Sequence, residues 1–529
     1  MSSWLRPSER AELRRSSFKA SVYTDEGQRR RLSAMVDIRR SNRNRDLNER
    51  RRNAATLSHA QHRTTSLEKH LGILPQSVQK LYSDDIKVHL ATIREFRSLF
   101  SMDLDSAIED MIGSGEVAGF VQLLAREDCP ELQFEAALVL NNILSETTEN
   151  TKVVVDLGAI PMFLKLLRST SADICEQAVL ALGNVVCDIA IYRDFVLAHG
   201  AVFPLLQLIN RNVELPLLRT ITWTLSNFCH GRPQPNFEHV KPAIPAFARL
   251  IHSEDPEVLS NTCWSLAYLS DGRHCAIQAI IETGALTRLI MLLTHSSSGV
   301  RISALRVVCN IAAADNMWIQ HIIDNQVLPR LLNLLTTDEN KRIKKEACQI
   351  ISIITGGTNE QIQAVINGNI IGHLVHLMQT ADFETKKEAA SAIYEATSGG
   401  TNDQIKYLVS QGCIRALCDL LTHVDSSTLM ICLESLENIL KAGEAEKHSG
   451  ICDINLYAQM IDDVEGLDKI ENIISHENNN LYKMAVHLYE TYWLVEDNFE
   501  AMPLGGDAHH TTDYRNQQAS VPPGHYDSG

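Results

Sequence analysis

Apolar residues recur at helical spacing along almost the whole of the chain. The segments ALVLNNIL, AVLALGNVV, ITWTLSNFC, TCWSLAYLS, ALRVVCNIA and LESLENIL each place aliphatic side chains on one helical face. This pattern runs from about residue 85 to 500 and predicts helices throughout that region. The segments also look like one another, which indicates an internal repeat.

Two independent registers support the repeat. Aligned on a shared asparagine, the segments form a ladder with steps of 41–43 residues. Its positions are Asn142, Asn184, Asn227, Tyr268, Asn310, Ile353, Glu395 and Asn438. A second ladder, based on the motif GA[IVL] and its relatives, has steps of 42 or 44 residues. Its positions are Gly158, Gly200, Pro242, Gly284, Gln326, Gly368 and Gly412. A period of about 42 residues in helical sequence is typical of armadillo and HEAT repeats.

Stacked repeats of this class share one core and wind into a superhelix with a long concave groove. We therefore predict an all-α fold, a right-handed superhelical solenoid of about ten armadillo repeats over residues 85–500. Residues 1–60 form a flexible basic arm in this prediction, and residues 61–84 form a linker. The tail, residues 501–529, is rich in Gly, Pro and polar residues and is predicted to be disordered.

The charge is unevenly distributed. The net charge is −16, yet residues 1–52 hold 15 Lys and Arg against 7 Asp and Glu, which gives the arm +8 and leaves −24 for the rest. A basic arm on an acidic body could bind nucleic acid, bind an acidic partner, or fold back on the body. The acidic body itself argues against a broad nucleic-acid surface.

The remaining bulk features indicate an intracellular protein. Twelve cysteines are scattered without a CxxC pair, which favours reduced, buried thiols in a cytosolic or nuclear protein over a disulfide framework or a zinc site. No apolar run reaches the ~18 residues that span a membrane. The N-terminus lacks the hydrophobic segment of a secretory signal.

The ladder carries the candidate chemistry. Trp223 and Asn227 lie one helical turn apart on the same face. A row of asparagine amides could bond the main chain of an extended peptide, while tryptophans wall off slots for Lys or Arg stems. Each cation–π contact is worth about 0.5–2 kcal/mol. Alternatively, the asparagines only bond neighbouring helix backbones.

The chain resembles the importin alpha family, adaptors for the nuclear import of proteins. The motifs are RRR…MVDIRR in the arm and QFEAA, TKVVVDLGAIP, TWTLSN, KKEAC and LENIL in the repeats, while MSSWLRPSERAELRR and MPLGG look most like plant members. The resemblance covers nearly the whole sequence. It implies that the arm binds importin beta and that the groove binds basic nuclear localisation signals of cargo proteins.

The resemblance also implies site residues. The major peptide groove would comprise Asn142, Thr151, Gln177, Asn184, Asp188, Trp223, Asn227, Trp264, Tyr268 and Asp271. Of the tryptophans expected in three successive repeats, only Trp223 is present, since the other two positions are Leu138 and Leu180. Thr151 and Asp188 match the pocket for the key lysine, whose small glycine is replaced by Glu146. We expect weaker binding of ordinary signals than is usual in the family.

The second, minor groove departs further from the family. Its matching residues are Arg306, Asn310, Glu346 and Glu388. The next two Trp–Asn pairs of the family are absent, because the chain has Gln349 with Ile353 and Ser391 with Glu395. Loss of such anchors costs about 1–3 kcal/mol each at an interface. We therefore predict that the minor groove is degraded.

The arm matches the importin-beta-binding and autoinhibitory segment of the family. Its candidate residues are Arg29, Arg30, Arg31, Arg39, Arg40, Arg50, Arg51 and Arg52. Arg50 stands where the family has a pivotal lysine, and Arg does not replace Lys conservatively. Glu49 is negatively charged and would be repelled by an acidic groove. We therefore expect weak self-inhibition.

Other readings remain open. The chain could be an armadillo scaffold or regulator with altered clients that has lost ordinary signal binding. An enzyme is disfavoured, because no Ser/His/Asp, Cys/His, HExxH or phosphate-loop signature is present. We expect no cofactor, no metal, no direct nucleic acid binding and no membrane insertion. The family also implies binding of the export receptor for importin alpha, shuttling between cytoplasm and nucleus, and association with the nuclear envelope and pore.

Overall fold

The computed structural model describes residues 85–100 and 104–493. Within these residues it contains 28 α-helices, one short 3₁₀ helix and no strand. The predicted arm, the predicted linker and the predicted tail all lie outside the described residues, as do the departures at Glu49 and Arg50. The all-helical prediction for the repeat region is confirmed for the part of the chain described.

One helix in three is long, with 14 to 23 residues, and we call these ten the groove helices. Numbered in chain order, they are α1 (Ile86–Phe100), α4 (Pro130–Leu144), α7 (Ala172–Asp188), α10 (Leu215–Cys229), α13 (Pro256–Ser270), α16 (Ser298–Ala312), α19 (Lys341–Thr355), α22 (Phe383–Gly399), α25 (Ser426–His448) and α28 (Asn479–Tyr492). Their number agrees with the prediction of about ten repeats.

Two shorter helices precede each groove helix from α4 onwards. The first of each pair is α2 (Leu104–Ser114), α5 (Thr148–Asp156), α8 (Ala190–Ala198), α11 (Phe237–Val240, continued by the 3₁₀ turn Lys241–Ala243), α14 (His274–Glu282), α17 (Asn316–Asp324), α20 (Asn359–Asn367), α23 (Asn402–Ser410) or α26 (Leu456–Asp462). The second is α3 (Glu116–Leu123), α6 (Ala159–Leu166), α9 (Val202–Ile209), α12 (Ile244–Leu250), α15 (Ala285–Leu292), α18 (Val327–Thr337), α21 (Ile371–Thr380), α24 (Cys413–Leu420) or α27 (Gly466–Ile474).

The second sequence ladder marks the tight turn between the two short helices. Gly158 and Gly284 precede α6 and α15 in the left-handed conformation, with φ of 79° and 75°. Glycine adopts this conformation without the steric cost that a Cβ brings. Gln326 adopts it with φ of 64°, and in the repeat that contains Gly368 the neighbouring Asn369 takes this role with φ of 56°. The left-handed turn between the two short helices is therefore also present in repeats where a residue other than glycine adopts it.

Capping side chains begin the groove helices and also join them. Asp255 caps α13 by accepting hydrogen bonds from the amides of Glu257 and Val258, and Pro256 fixes the first helical residue. The same carboxylate accepts Nη2 of Arg219, on the preceding groove helix, at 2.5 Å. The hydrogen bond from Arg219 holds the pKa of Asp255 below its ordinary value. The cap therefore sets the position of one repeat on the next.

A single hydrophobic core runs through the described repeats, from Ile93 to Leu488. Consecutive groove helices pack against each other along its length. Hydrogen bonds join them, such as that from Thr355 Oγ1 to the carbonyl oxygen of Ala392 at 3.0 Å. We call the surface formed by the outward side chains of the groove helices from α4 to α25 the groove face. The stacking confirms the predicted repeat solenoid.

All twelve cysteines lie in the described region as free thiols, and eight are buried. Burial raises the pKa of the Cys263 thiol to about 12. Among the described residues no group of His, Cys, Asp and Glu could hold a metal ion. No single described helix is long and apolar enough to cross a membrane; α14 and α15 reach that length only together, across a 94° bend.

Candidate functional site

The ladder asparagines lie where each groove helix meets the one before it. Asn227 and Asn310 are 9 % and 6 % exposed. Nδ2 of Asn227 donates to the carbonyl oxygen of Gly183 at 3.4 Å, and Nδ2 of Asn310 donates to that of Ala267 at 2.8 Å. Nδ2 of Asn142 is buried without a partner in the described part of the chain. Two of the five ladder asparagines, Asn227 and Asn310, therefore bond the backbone of the preceding groove helix, as the alternative interpretation of the ladder proposed, and Asn142 does not.

Tryptophan occurs on two neighbouring groove helices, α10 and α13. The rings of Trp264 and Tyr268 stack with centroids 5.6 Å apart, and the ring of His230 packs on Tyr268 at 4.5 Å. The half-buried indole of Trp223 lies directly over Gly183, where an added Cβ would be 2.2 Å from Cζ3 of the ring. Such flat, electron-rich walls attract Lys and Arg side chains.

The predicted lysine pocket is brought together by α5 and the end of α7. Thr151 is buried, and Thr148, one turn earlier, donates from Oγ1 to Oδ1 of Asp188 at 2.7 Å. Burial raises the pKa of nearby Tyr192, as do the carboxylates of Asp156 and Asp188. The pocket is therefore acidic. Thr148 was missed by the sequence reasoning, although its spacing of three residues from Thr151 could have indicated it.

Asp271 follows α13 and is held by the loop that follows α10. Its carboxylate accepts Nη2 of Arg232 at 2.9 Å, and its carbonyl oxygen accepts Nε2 of Gln234 at 2.7 Å. Arg193, only 1 % exposed, fixes the same loop by donating to the carbonyl oxygen of His230 at 2.6 Å. A carboxylate predicted to meet peptide cations is thus already paired with a cation of the chain. Nothing in the sequence pattern pointed to Arg193.

The leucines that replace tryptophan differ from Trp223 in their surroundings. Leu138 is 9 % exposed and Leu180 is half-buried. Nδ2 of Asn141 donates to both the carbonyl oxygen and Oε1 of Gln177 at 3.0 Å, and Oδ1 accepts from Asn184 at 3.4 Å. Two predicted site residues, Gln177 and Asn184, are therefore bonded to Asn141, which the sequence reasoning did not single out.

An ion pair crosses the groove face between α16 and α19. Arg306 donates from Nη2 to Oε1 of Glu346, and these side chains are only 20 % and 7 % exposed. Burial opposes the charge of Arg306, but the Glu346 carboxylate and the more distant Asp271 together favour it, and the pKa of Arg306 is raised. Two predicted residues of the minor groove therefore neutralise each other.

Beyond that pair, the face lacks rings at the ladder positions. Gln349, Ile353, Ser391 and Glu395 are half-buried where tryptophan and asparagine were expected from the resemblance. Ile353 packs against the core, so it offers no polar group to a peptide backbone. Burial raises the pKa of Glu388 to about 7. This half of the face keeps acidic groups but has no tryptophan on α19 or α22.

Three family models match the chain. The importin beta binding domain matches residues 14–94, and the armadillo/beta-catenin-like repeat matches residues 147–186, 240–271, 276–313, 319–356, 358–398 and 401–441. An atypical armadillo repeat matches residues 455–504. These matches cover both the arm and the repeats.

Curated relatives match along the whole chain. Importin subunit alpha-1b of Oryza sativa subsp. japonica is 55 % identical over 99 % of this chain and 100 % of its own length. Importin subunit alpha-3 of Arabidopsis thaliana is 48 % identical over 99 % of each chain. Among solved structures, an engineered protein shares 27 % identity with a TM-score of 0.70, and the match covers 78 % of this chain and 97 % of that one.

Proposed function

Because the chain belongs to the importin alpha family, we propose that it binds the basic signals of its cargo on the groove face between α4 and α13. The chain is a nuclear import adaptor that links cargo to importin beta, and it shuttles between cytoplasm and nucleus. We assign it no enzymatic activity, since this family acts as adaptors.

One observation carries the placement of the cargo site. Among the groove helices, only α10 and α13 carry tryptophan, and the acidic pocket of Asp188 lies next to them on α7. A pocket for Lys or Arg needs an apolar or aromatic wall for the aliphatic stem and an anionic group for the charged head. Both are available together around Trp223. The candidate contacts are the major-groove residues named from the sequence.

The face beyond α16 is proposed to bind basic peptides poorly. Its Arg306–Glu346 ion pair is buried and internally balanced. Inserting a peptide cation there would have to displace Arg306 or leave it unpaired, and breaking a buried pair is costly. Neither α19 nor α22 offers a tryptophan in compensation. We propose that a two-part signal gains little from its second basic cluster.

The remaining partners follow from the family. Importin beta is proposed to bind the arm, within the matched residues 14–94. We propose that the last repeats bind the export receptor and that the loaded adaptor associates with the nuclear pore. Self-inhibition by the arm is proposed to be weak, because Glu49 places a negative charge against an acidic face. A chain beginning at residue 61 should bind a basic peptide less than about tenfold more tightly than the full chain.

The proposed function is tested by titrating the full chain with one-part and two-part basic peptides, followed by calorimetry. We expect binding of the one-part peptide and an improvement of less than about tenfold from the second cluster. Strong additional binding through the face beyond α16 would contradict the proposal. If neither peptide binds while importin beta does, the chain is instead a scaffold or regulator that lost signal binding.

A further inference from the structure

The indole of Trp223 occupies a space that its neighbour leaves open. An added Cβ at Gly183 would lie 2.2 Å from Cζ3 and 2.9 Å from Cε3 of the ring, and 2.6 Å from Oγ1 of Thr224. Real Cβ atoms do not approach ring atoms so closely. The ring of α10 can lie there only because the facing residue of α7 has no side chain. We call this space over residue 183 the indole seat.

The preceding repeat fills the equivalent space differently. Asn141 precedes Gly183 by 42 residues, and Leu180 precedes Trp223 by 43, so the two pairs occupy the same positions in successive repeats. The side chain of Asn141 is 5 % exposed. The space below position 180, equivalent to the indole seat, is therefore occupied by the amide side chain of Asn141.

The hydrogen bonds of Asn141 locate that amide. Gln177 and Asn184 lie one turn before and one turn after Leu180 on the same face of α7. Asn141 bonds Gln177 twice at 3.0 Å and accepts from Asn184 at 3.4 Å. A side chain that bonds both neighbours of Leu180 lies beneath Leu180 itself. An indole at position 180 would meet it.

We infer that Asn141 and Leu180 act together as a specificity determinant of the groove face, selecting an apolar peptide side chain at a position where a groove walled by two indoles would take Lys or Arg. Leu180 offers methyl groups without a ring face, so the stem of a Lys or Arg can pack on it but the charged head gains no cation–π contact there. An apolar side chain gains by burial against the methyl groups. Asn141 is a positioning residue, because it holds Leu180 and the Asn184 amide in place.

This inference rests on the proposed function and deepens it. The signal would combine basic residues over Trp223, Trp264 and the Asp188 pocket with an apolar residue over Leu180. The cargo class is therefore a basic signal interrupted by one aliphatic residue. A uniformly basic signal would use the face less well.

The test uses the full chain with Leu180→Trp, Asn141→Gly and the double variant. Each binds a lysine-rich peptide and a series in which each lysine in turn is replaced by leucine. In the natural chain, one such replacement should strengthen binding, by about twofold or more, because the leucine is buried against Leu180. In the double variant, the same replacement should weaken binding about tenfold, because an indole then contacts the lysine. Asn141→Gly alone should weaken the binding of every peptide in the series without creating a lysine preference, because Leu180 and the Asn184 amide lose their support and no indole is added.

Thermal unfolding tests the seat separately. Leu180→Trp alone should lower the unfolding temperature. In the double variant, Asn141→Gly should restore part of that loss. This recovery is expected even though a glycine by itself weakens a helix. The inference is overturned if Leu180→Trp alone shows the lysine preference of the double variant, or if no leucine replacement strengthens binding to the natural chain. A natural chain that binds no basic peptide would overturn the proposed function, while the unfolding temperatures still decide whether Asn141 fills the seat.

Discussion

The groove face from α4 to α13 and the face from α16 to α25 share one backbone pattern and differ in what the outward side chains do. In the first, aromatic rings lie over small residues, as Trp223 lies over Gly183. In the second, charges pair between helices, as Lys387 pairs with Asp425 at 3.1 Å. Ion pairs such as Arg219–Asp255 also join helices in the first half, but only that half carries tryptophan on its groove helices. The first half is therefore better suited to receive cations from a peptide.

The comparison shows which positions of a repeat are free to change. Core positions keep the helices stacked and are apolar in both halves. Ladder positions lie at the edge of this core, and Asn227 and Ile353 stand at equivalent places in helices of the same length. A repeat protein can therefore lose a binding site without losing any of its fold.

Trp223→Ala should produce the largest difference between the halves. Trp223 is the ring nearest the Asp188 pocket by repeat position, and truncating a central aromatic anchor typically costs about 2–3 kcal/mol, roughly thirty- to hundredfold in affinity. Fluorescence anisotropy with a one-part basic peptide measures the loss.

The matched control for Trp223→Ala is Gln349→Ala, at the equivalent position three repeats later. It should change affinity by less than about twofold. Equal losses in both variants would mean that the two halves contribute alike, and the proposed asymmetry would be wrong.

Gly183→Ala should weaken the first half by moving its ring. The new methyl carbon would lie 2.2 Å from Cζ3 of Trp223, so the indole must shift. Overpacking of this kind costs about 1–3 kcal/mol of stability, and a displaced ring should weaken peptide binding about tenfold. Calorimetric titration and thermal unfolding together measure both effects.

Gly113→Ala serves as the comparison for Gly183→Ala. Gly113 lies inside α2 and has nothing within 4 Å of an added Cβ, so alanine should be neutral or slightly stabilising there. If Gly183→Ala is as harmless as Gly113→Ala, the contact between the indole and α7 does not hold Trp223 in place.

The repeat and its long helices could be predicted because their signal is local and recurs. Apolar spacing within one helix and a period of about 42 residues need no knowledge of which surfaces meet. The second ladder was also informative, since a glycine before α6 or α15 reflects a backbone conformation that the sequence alone favours.

The details of the site depend on contacts between residues about one repeat apart. A single sequence does not show which of these residues touch. The asparagine nitrogens were predicted to be available to a peptide, yet Asn227 and Asn310 direct theirs to the preceding helix. Asn141 and Arg193 were overlooked because their importance lies in hydrogen bonds made 36 and 37 residues away. Such contacts become visible only when neighbouring repeats are superposed in space.

The two halves should also differ in how their carboxylates respond to pH. Burial raises the pKa of Glu388 from 4.5 to about 7; Lys345 and Lys387 favour its charge, while Glu346 and Glu384 oppose it. Between those two values the folded chain keeps a proton that the unfolded chain has lost. Stability from this group is therefore greatest at low pH and falls as the pH rises through about 7. Asp255, in the first half, has a lowered pKa and stays ionised throughout that range.

Glu388→Gln should remove this fall in stability. At about pH 5.5 the variant should already be more stable by about 1 kcal/mol in its free energy of unfolding, and at about pH 8 by about 3 kcal/mol. Denaturant unfolding of the variant and the natural chain at both pH values measures the difference in their free energies of unfolding. The two chains have the same histidines, so the histidine contributions cancel. Asp255→Asn should instead cost the same stability at both, because its carboxylate is ionised in the folded and unfolded chain alike. A difference for Glu388→Gln that does not change with pH would contradict a buried carboxyl titrating in the second half.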